Sequence, residues 1–166
     1  MSVKNSITTP IGIDVPIKRL QTRFSDDLFS GKTYYSYPRC YEIDGEQHVF
    51  TSGIDYEKLT QNDSIHALSF FVVNSEDEIE IETFEADVSI YFFVNLAQLC
   101  SSITNRADAN VRREVMQIMD LKPYGFEVDN IEWGADVEDD IVNDMQPYYC
   151  FRINTKLVYE YTKTGC

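Results

Sequence analysis

The stretch SEDEIEIETFEADVSIYFFVNL, residues 75–96, limits the fold more than any other part of this chain. Glu76, Glu78, Glu80 and Glu82 occupy even positions, with Ile79 and Ile81 between them; from Phe84 onward the even positions are Phe84, Ala86, Val88, Ile90, Phe92 and Val94. The acids move at the same point to odd positions, Glu85 and Asp87. Side chains alternate between the two faces of a strand, so one flat strand cannot keep one face buried across such a switch. Two solutions are open. A bulge near Thr83 resets the alternation, or residues 76–83 leave the core as an extension. In the second case Ile79 and Ile81 need cover from outside their own domain, and a neighbouring subunit supplies it most simply.

The same carboxylates could be read as a metal or acid–base site. Glu78, Glu80 and Glu82 on one strand face would stand roughly 7 Å apart. That is too wide for one ion, since hard cations take six or more oxygens from several directions. The spacing is compatible with an inverting glycosidase pair, but two carboxylates so placed are ordinary on an acidic strand. A solvated face is the simpler reading. A second acidic run, ADVEDDIVND at 135–144, lacks the glycine and ligand order of a calcium loop.

The remaining chain alternates between two periodicities. Asp14 is placed to cap a helix whose first turn holds Val15 and Pro16; Ile17, Leu20, Phe24 and Leu28 recur at helical spacing, and Gly31 closes it. Lys18, Arg19 and Arg23 lie off that apolar stripe and form the most basic local surface. YYSYPRCYEI and EQHVF flank Asp44–Gly45, a hairpin signal. A helical turn is possible near Tyr56–Leu59, and SIHALSFFVV reads as a strand covered on both faces from Phe70 to Val73. ADANVRREVMQIM follows as a helix with Val111, Val115 and Ile118 on one side. FEVDNIEW is a short strand. In YCFRINTKLVYEY, Phe151, Ile153, Leu157, Tyr159 and Tyr161 share one face, and Arg152, Asn154, Lys156 and Glu160 the other. The order helix, four strands, helix, two strands predicts an α+β fold: a mainly antiparallel sheet with helices packed on one face. Residues 1–12 are expected to form a loose N-terminal arm and 13–166 a single domain.

With 43% hydrophobic and 13% aromatic residues the chain has material for a core, and its net charge of −14 argues against gripping phosphates. Cys40, Cys100, Cys150 and Cys166 include no CxxC pair and read as reduced thiols. The start MSVKNSITTP has no apolar core of a signal peptide, and no run of 18 apolar residues exists, so neither leader nor membrane span is expected. His48 and His66 have no metal-ligand spacing, and no phosphate-binding glycine motif or GxSxG elbow occurs. A Cys–His dyad assembled in space stays open. No catalytic, cofactor or metal residue is assigned, and the chain is expected to be no enzyme.

The ordered series GIDVPIKRLQ (12–21), YYSYPRCYEI (34–43), VSIYFFVNLAQL (88–99), NVRREVMQIM (110–119), FEVDNIEWG (126–134) and DMQPYYCFRINTKLVYEY (144–161) resembles neck and tail-completion proteins of tailed bacteriophages. These are tail-terminator-like ring proteins, and the style is closest to ring proteins of crAss-like phages. The resemblance implies a structural virion protein in the head–tail connector, assembled in the host cytoplasm. It implies an oligomeric ring of six or twelve copies around the DNA channel, next to portal, neck or tail proteins, without cofactor, membrane or sequence-specific nucleic-acid binding. Lys18, Arg19 and Arg23 of one protomer against Glu78, Glu80 and Glu82 of the next, with Ile79 and Ile81 between, is the subunit contact this reading suggests. If the acids instead line a lumen, they keep DNA from adhering. The rival class is an acidic inhibitor that mimics DNA and binds a host DNA-handling enzyme.

Overall fold

The structure is a computed structural model; it describes residues 9–43, 46–49, 64–100, 107–133 and 148–161, with backbone alone at 39–43 and 46–49. Helix α1 (Asp14–Arg23) runs directly into a π-helical turn, Phe24–Leu28, in which the Phe29 amide donates to the Phe24 carbonyl at 2.9 Å. Strands β1 (Tyr34–Ile43), β2 (Glu46–Val49), β3 (Ala67–Glu80) and β4 (Thr83–Asn95) follow. Then come the single turn α2 (Leu96–Leu99), helix α3 (Ala107–Met119), β5 (Phe126–Trp133) and β6 (Tyr148–Glu160). The predicted order of helix, four strands, helix and two strands is present, as is the α+β class.

The sheet order is β2-β1-β3-β4-β6-β5, antiparallel throughout except for the parallel pair β1–β3. β1 and β2 pair with Ile43 opposite Glu46, the register of a two-residue connection; Asp44–Gly45 lies outside the described residues. So do the expected turn at Tyr56–Leu59 and the acidic run 135–144.

Helices α1 and α3 pack on one face of the sheet. Ile17, Leu20, Phe24, Leu28 and Phe29 meet Val111, Val115, Ile118 and Met119 over Ala67, Phe71, Val88, Ile90, Phe92, Phe151, Ile153 and Leu157. Phe92 is the centre of this core: Phe151 stacks on it at 4.7 Å between centroids, and Phe24 meets it edge-on at 5.0 Å. The π turn lets adjacent Leu28 and Phe29 both stay buried, which a regular helix places 100° apart. A smaller cluster on the opposite face joins Tyr37, Ile65, Leu68, Phe70, Phe93 and Cys150. Phe70, Phe71 and Val72 are thus buried on both faces as expected, whereas Val73 is exposed.

Two local expectations need correction. Ile13, not Asp14, is the N-cap; Asp14 is the first helical residue and is buried, its carboxylate lying in the turn that carries the positive end of the helix dipole. Of the two solutions open for the parity switch, a bulge near Thr83 is not the one taken, and residues 76–80 are exposed outside the core. The chain reverses at Ile81–Glu82, so residues 76–80 end β3 and Thr83 begins β4. Acid and apolar residues exchange parity because they belong to two strands.

Candidate functional site

The β3–β4 hairpin is the feature that most sets this sheet apart. β1 accompanies β3 as far as Val72, while β6 follows β4 to the pair Thr83–Glu160. A register shift between Val73 and Ser75 moves the acids across the sheet: Glu76 lies opposite Ala86 and Glu78 opposite Phe84 on the helical side, and Asp77 lies opposite Glu85 on the other. A second shift separates Glu78 from Glu80. The carboxylates therefore diverge onto two faces and do not converge on one point. Among the described residues no group of three or more His, Cys, Asp or Glu could hold a metal ion.

Polar contacts hold the hairpin from its base to its turn, while its apolar tip residues stay open. The Tyr159 hydroxyl donates to the Glu76 carboxylate, and Phe84 stacks on Tyr159 at 5.6 Å. Ser75 Oγ donates to Asp87 at 2.9 Å, and Lys156 lies 3.7 Å from Glu85. At the turn the Glu82 amide donates to Glu78 Oε1 at 3.2 Å, and the Tyr161 amide donates to the Glu82 carbonyl at 2.7 Å. Ile79 is 50% exposed and Ile81 91% exposed. The facing pair Asp77–Glu85 sets like charges across the strands, which costs stability in the isolated chain.

Of the basic residues named from the sequence, Lys18 and Arg19 stand together and Arg23 does not join them. Lys18 and Arg19 line an open groove of about 430 Å³ with Pro10, Val15, Thr22 and Tyr124. Arg23 instead reaches Asp27 of its own helical segment at 2.8 Å. The groove and the hairpin are parts of one frame. Gly12, at φ +53° just before α1, lies against the ring of Tyr161, whose backbone holds the hairpin turn.

A polar network on the face away from the helices escaped sequence reasoning. Asn74 Nδ2 donates to Ser89 Oγ (2.9 Å), Ser89 Oγ to Asn154 Oδ1 (2.8 Å), and Asn154 Nδ2 to Glu132 Oε1 (3.1 Å). Arg152 joins the chain by an ion pair to Glu132 and a 3.1 Å hydrogen bond to the Tyr91 hydroxyl, its guanidinium 5.5 Å from that ring's centroid. Burial opposes the charge on Arg152, but the Tyr91 and Glu132 contacts outweigh it and raise its pKa. Four strands contribute, so the only sequence signal was the polar parity of β6.

The other candidates are structural. His66, one residue before β3, accepts the Thr33 amide on Nδ1 at 2.8 Å. The His48 side chain lies outside the described residues, as do the side chains of Cys40 and Cys166. Cys100 and Cys150 are buried and form no disulfide. Burial, reinforced by the Glu114 carboxylate, pushes the Cys100 thiol up despite Lys32, which disfavours the nucleophilic thiolate. No helix among the described residues is long and apolar enough to cross a membrane.

No known family model matches the sequence, and no characterised protein shows significant similarity to it.

Proposed function

We propose that this chain is a structural, non-enzymatic subunit that self-assembles into a ring in the neck of a tailed bacteriophage, around the DNA channel. The observation that carries this reading is the β3–β4 hairpin, which extends beyond the helix-covered core with Ile79 and Ile81 exposed among acids. Apolar side chains on a projecting tip gain from burial against a partner, at about 25 cal/mol per Å² of apolar surface. A second copy is the partner always at hand. The net charge of −14 fits a wall past which DNA slides without adhering. Carboxylates that diverge onto two faces support a surface role over a catalytic one.

Light scattering across concentration, followed by negative-stain imaging, tests the reading. Closed particles of six or twelve copies are the expected result. A monomer that instead captures a DNA-handling enzyme in a salt-sensitive manner would replace the ring with the DNA-mimic reading.

A further inference from the structure

The hairpin tip and the α1 groove have opposite chemistry. The tip presents Ile81 between Glu80 and Glu82, with Glu78 behind it and hydrogen-bonded to the turn. The groove presents Pro10, Val15 and the Tyr124 ring as apolar lining, with Lys18 and Arg19 as its cations. Ile11, next to Pro10 in the chain, is itself half exposed. Ile81 is 91% exposed, so the tip is not seated in the groove of its own chain. Two copies at −14 each repel over most of their surfaces, and a local match of sign selects the approach that remains.

Resting on the reading of the chain as a self-assembling subunit, we propose that the β3–β4 tip of one copy docks into the α1 groove of a second. Ile81 enters between Pro10, Val15 and Tyr124, and Glu82 faces Arg19 with Glu80 beside it. Arg23 takes no part, because Asp27 already holds it. The contact joins two different surfaces, so it is heterologous: after one contact each pair still offers one tip and one groove, and association continues until it closes. Tip and groove are linked within each copy through Gly12, the Tyr161 ring and the Tyr161 amide bond to the Glu82 carbonyl.

The test uses the full chain as wild type, Ile81→Asp, Arg19→Glu and the charge-swapped Arg19→Glu/Glu82→Arg, followed by light scattering. Both single substitutions are at exposed positions, and unchanged melting curves would show that the fold survives them. Each is expected to weaken self-association by roughly tenfold or more, as loss of a central anchor or its charge partner does. The swapped variant should recover much of the loss. An equimolar mixture of Ile81→Asp and Arg19→Glu should give heterodimers and nothing larger, since one intact tip meets one intact groove. Rings that survive both single substitutions would overturn the docking and leave the ring reading standing. A reciprocal two-fold dimer sensitive to both would support the docking and overturn the ring. A wild-type chain that stays monomeric up to about 1 mM would overturn both.

Discussion

At Gly125 a methyl group has nowhere to go. Its φ is +91°, and a Cβ there would stand 2.3 Å from the Val158 carbonyl oxygen, a backbone atom of strand β6. Gly125→Ala is expected to cost about 2–3 kcal/mol through backbone strain and displacement of the ladder, measured by denaturant unfolding. Tyr34 carries a different constraint. Its hydroxyl lies 2.6 Å from Ser69 Oγ, which lies 2.6 Å from Ser36 Oγ, and Gln21 of α1 donates to Ser36 at 2.8 Å. Burial pushes the phenol pKa up to about 12, against the lowering effect of the Ser36 and Ser69 hydrogen bonds. The folded chain thus holds this proton more tightly than the unfolded chain. The stabilisation is complete below about pH 10 and is lost as pH rises from about 10 to 12, with a total on the order of 2–3 kcal/mol. Stability should therefore fall more steeply over that range in the wild type than in Tyr34→Phe; equal slopes would refute the assignment.

Among the elements, β3 is two strands in one. Residues 67–72 are buried and flanked on both sides by β1 and β4, whereas residues 73–80 are exposed and held among the described residues by β4. Few apolar contacts and solvent-facing hydrogen bonds lower the free energy of local opening. Amide exchange should therefore be orders of magnitude faster at residues 76–82 than at Ile90–Val94, where the core covers the same ladder. Protection of the tip that rises on self-association would fit the docking contact. Uniform protection along the hairpin in a monomer would contradict a solvent-open tip. Glu82 adds to the cost of the turn, since φ +62° suits glycine better than a branched or long side chain.

For the whole molecule the dominant fact is charge. Twenty-eight acids face 14 basic residues, so even if every basic residue paired with an acid, half of the acids would remain uncompensated. Self-repulsion disfavours the compact state and is screened beyond roughly 8 Å at physiological salt. The melting temperature should rise by a few degrees between about 0.02 and 0.15 M sodium chloride. A fall would mean that local ion pairs outweigh the net charge.

Periodicity made most of the elements legible from the sequence. Helix 107–119 and strand 126–133 lie where their patterns put them, and the inward face of β6 is the one that Phe151, Ile153, Leu157 and Tyr159 mark. Burial of one face is a local demand, and each residue reports it separately. What the pattern could not convey was where the chain turns without glycine, asparagine or proline. Ile81–Glu82 carries no turn residue, so the sequence assigns the end of β3 to the following strand as an anomaly in its alternation. The network of Asn74, Ser89, Asn154, Glu132 and Arg152 was equally hidden, because its members come from four strands and acquire partners when register is set. The grouping of Arg19 with Pro10 and Tyr124, and the loss of Arg23 to Asp27, were settled the same way. Composition and periodicity determined the class, the order and the buried faces of this protein, because hydrophobic burial acts on one side chain at a time. Only the tertiary structure decided which polar groups meet, because hydrogen bonds and ion pairs depend on distances that sequence separation does not encode.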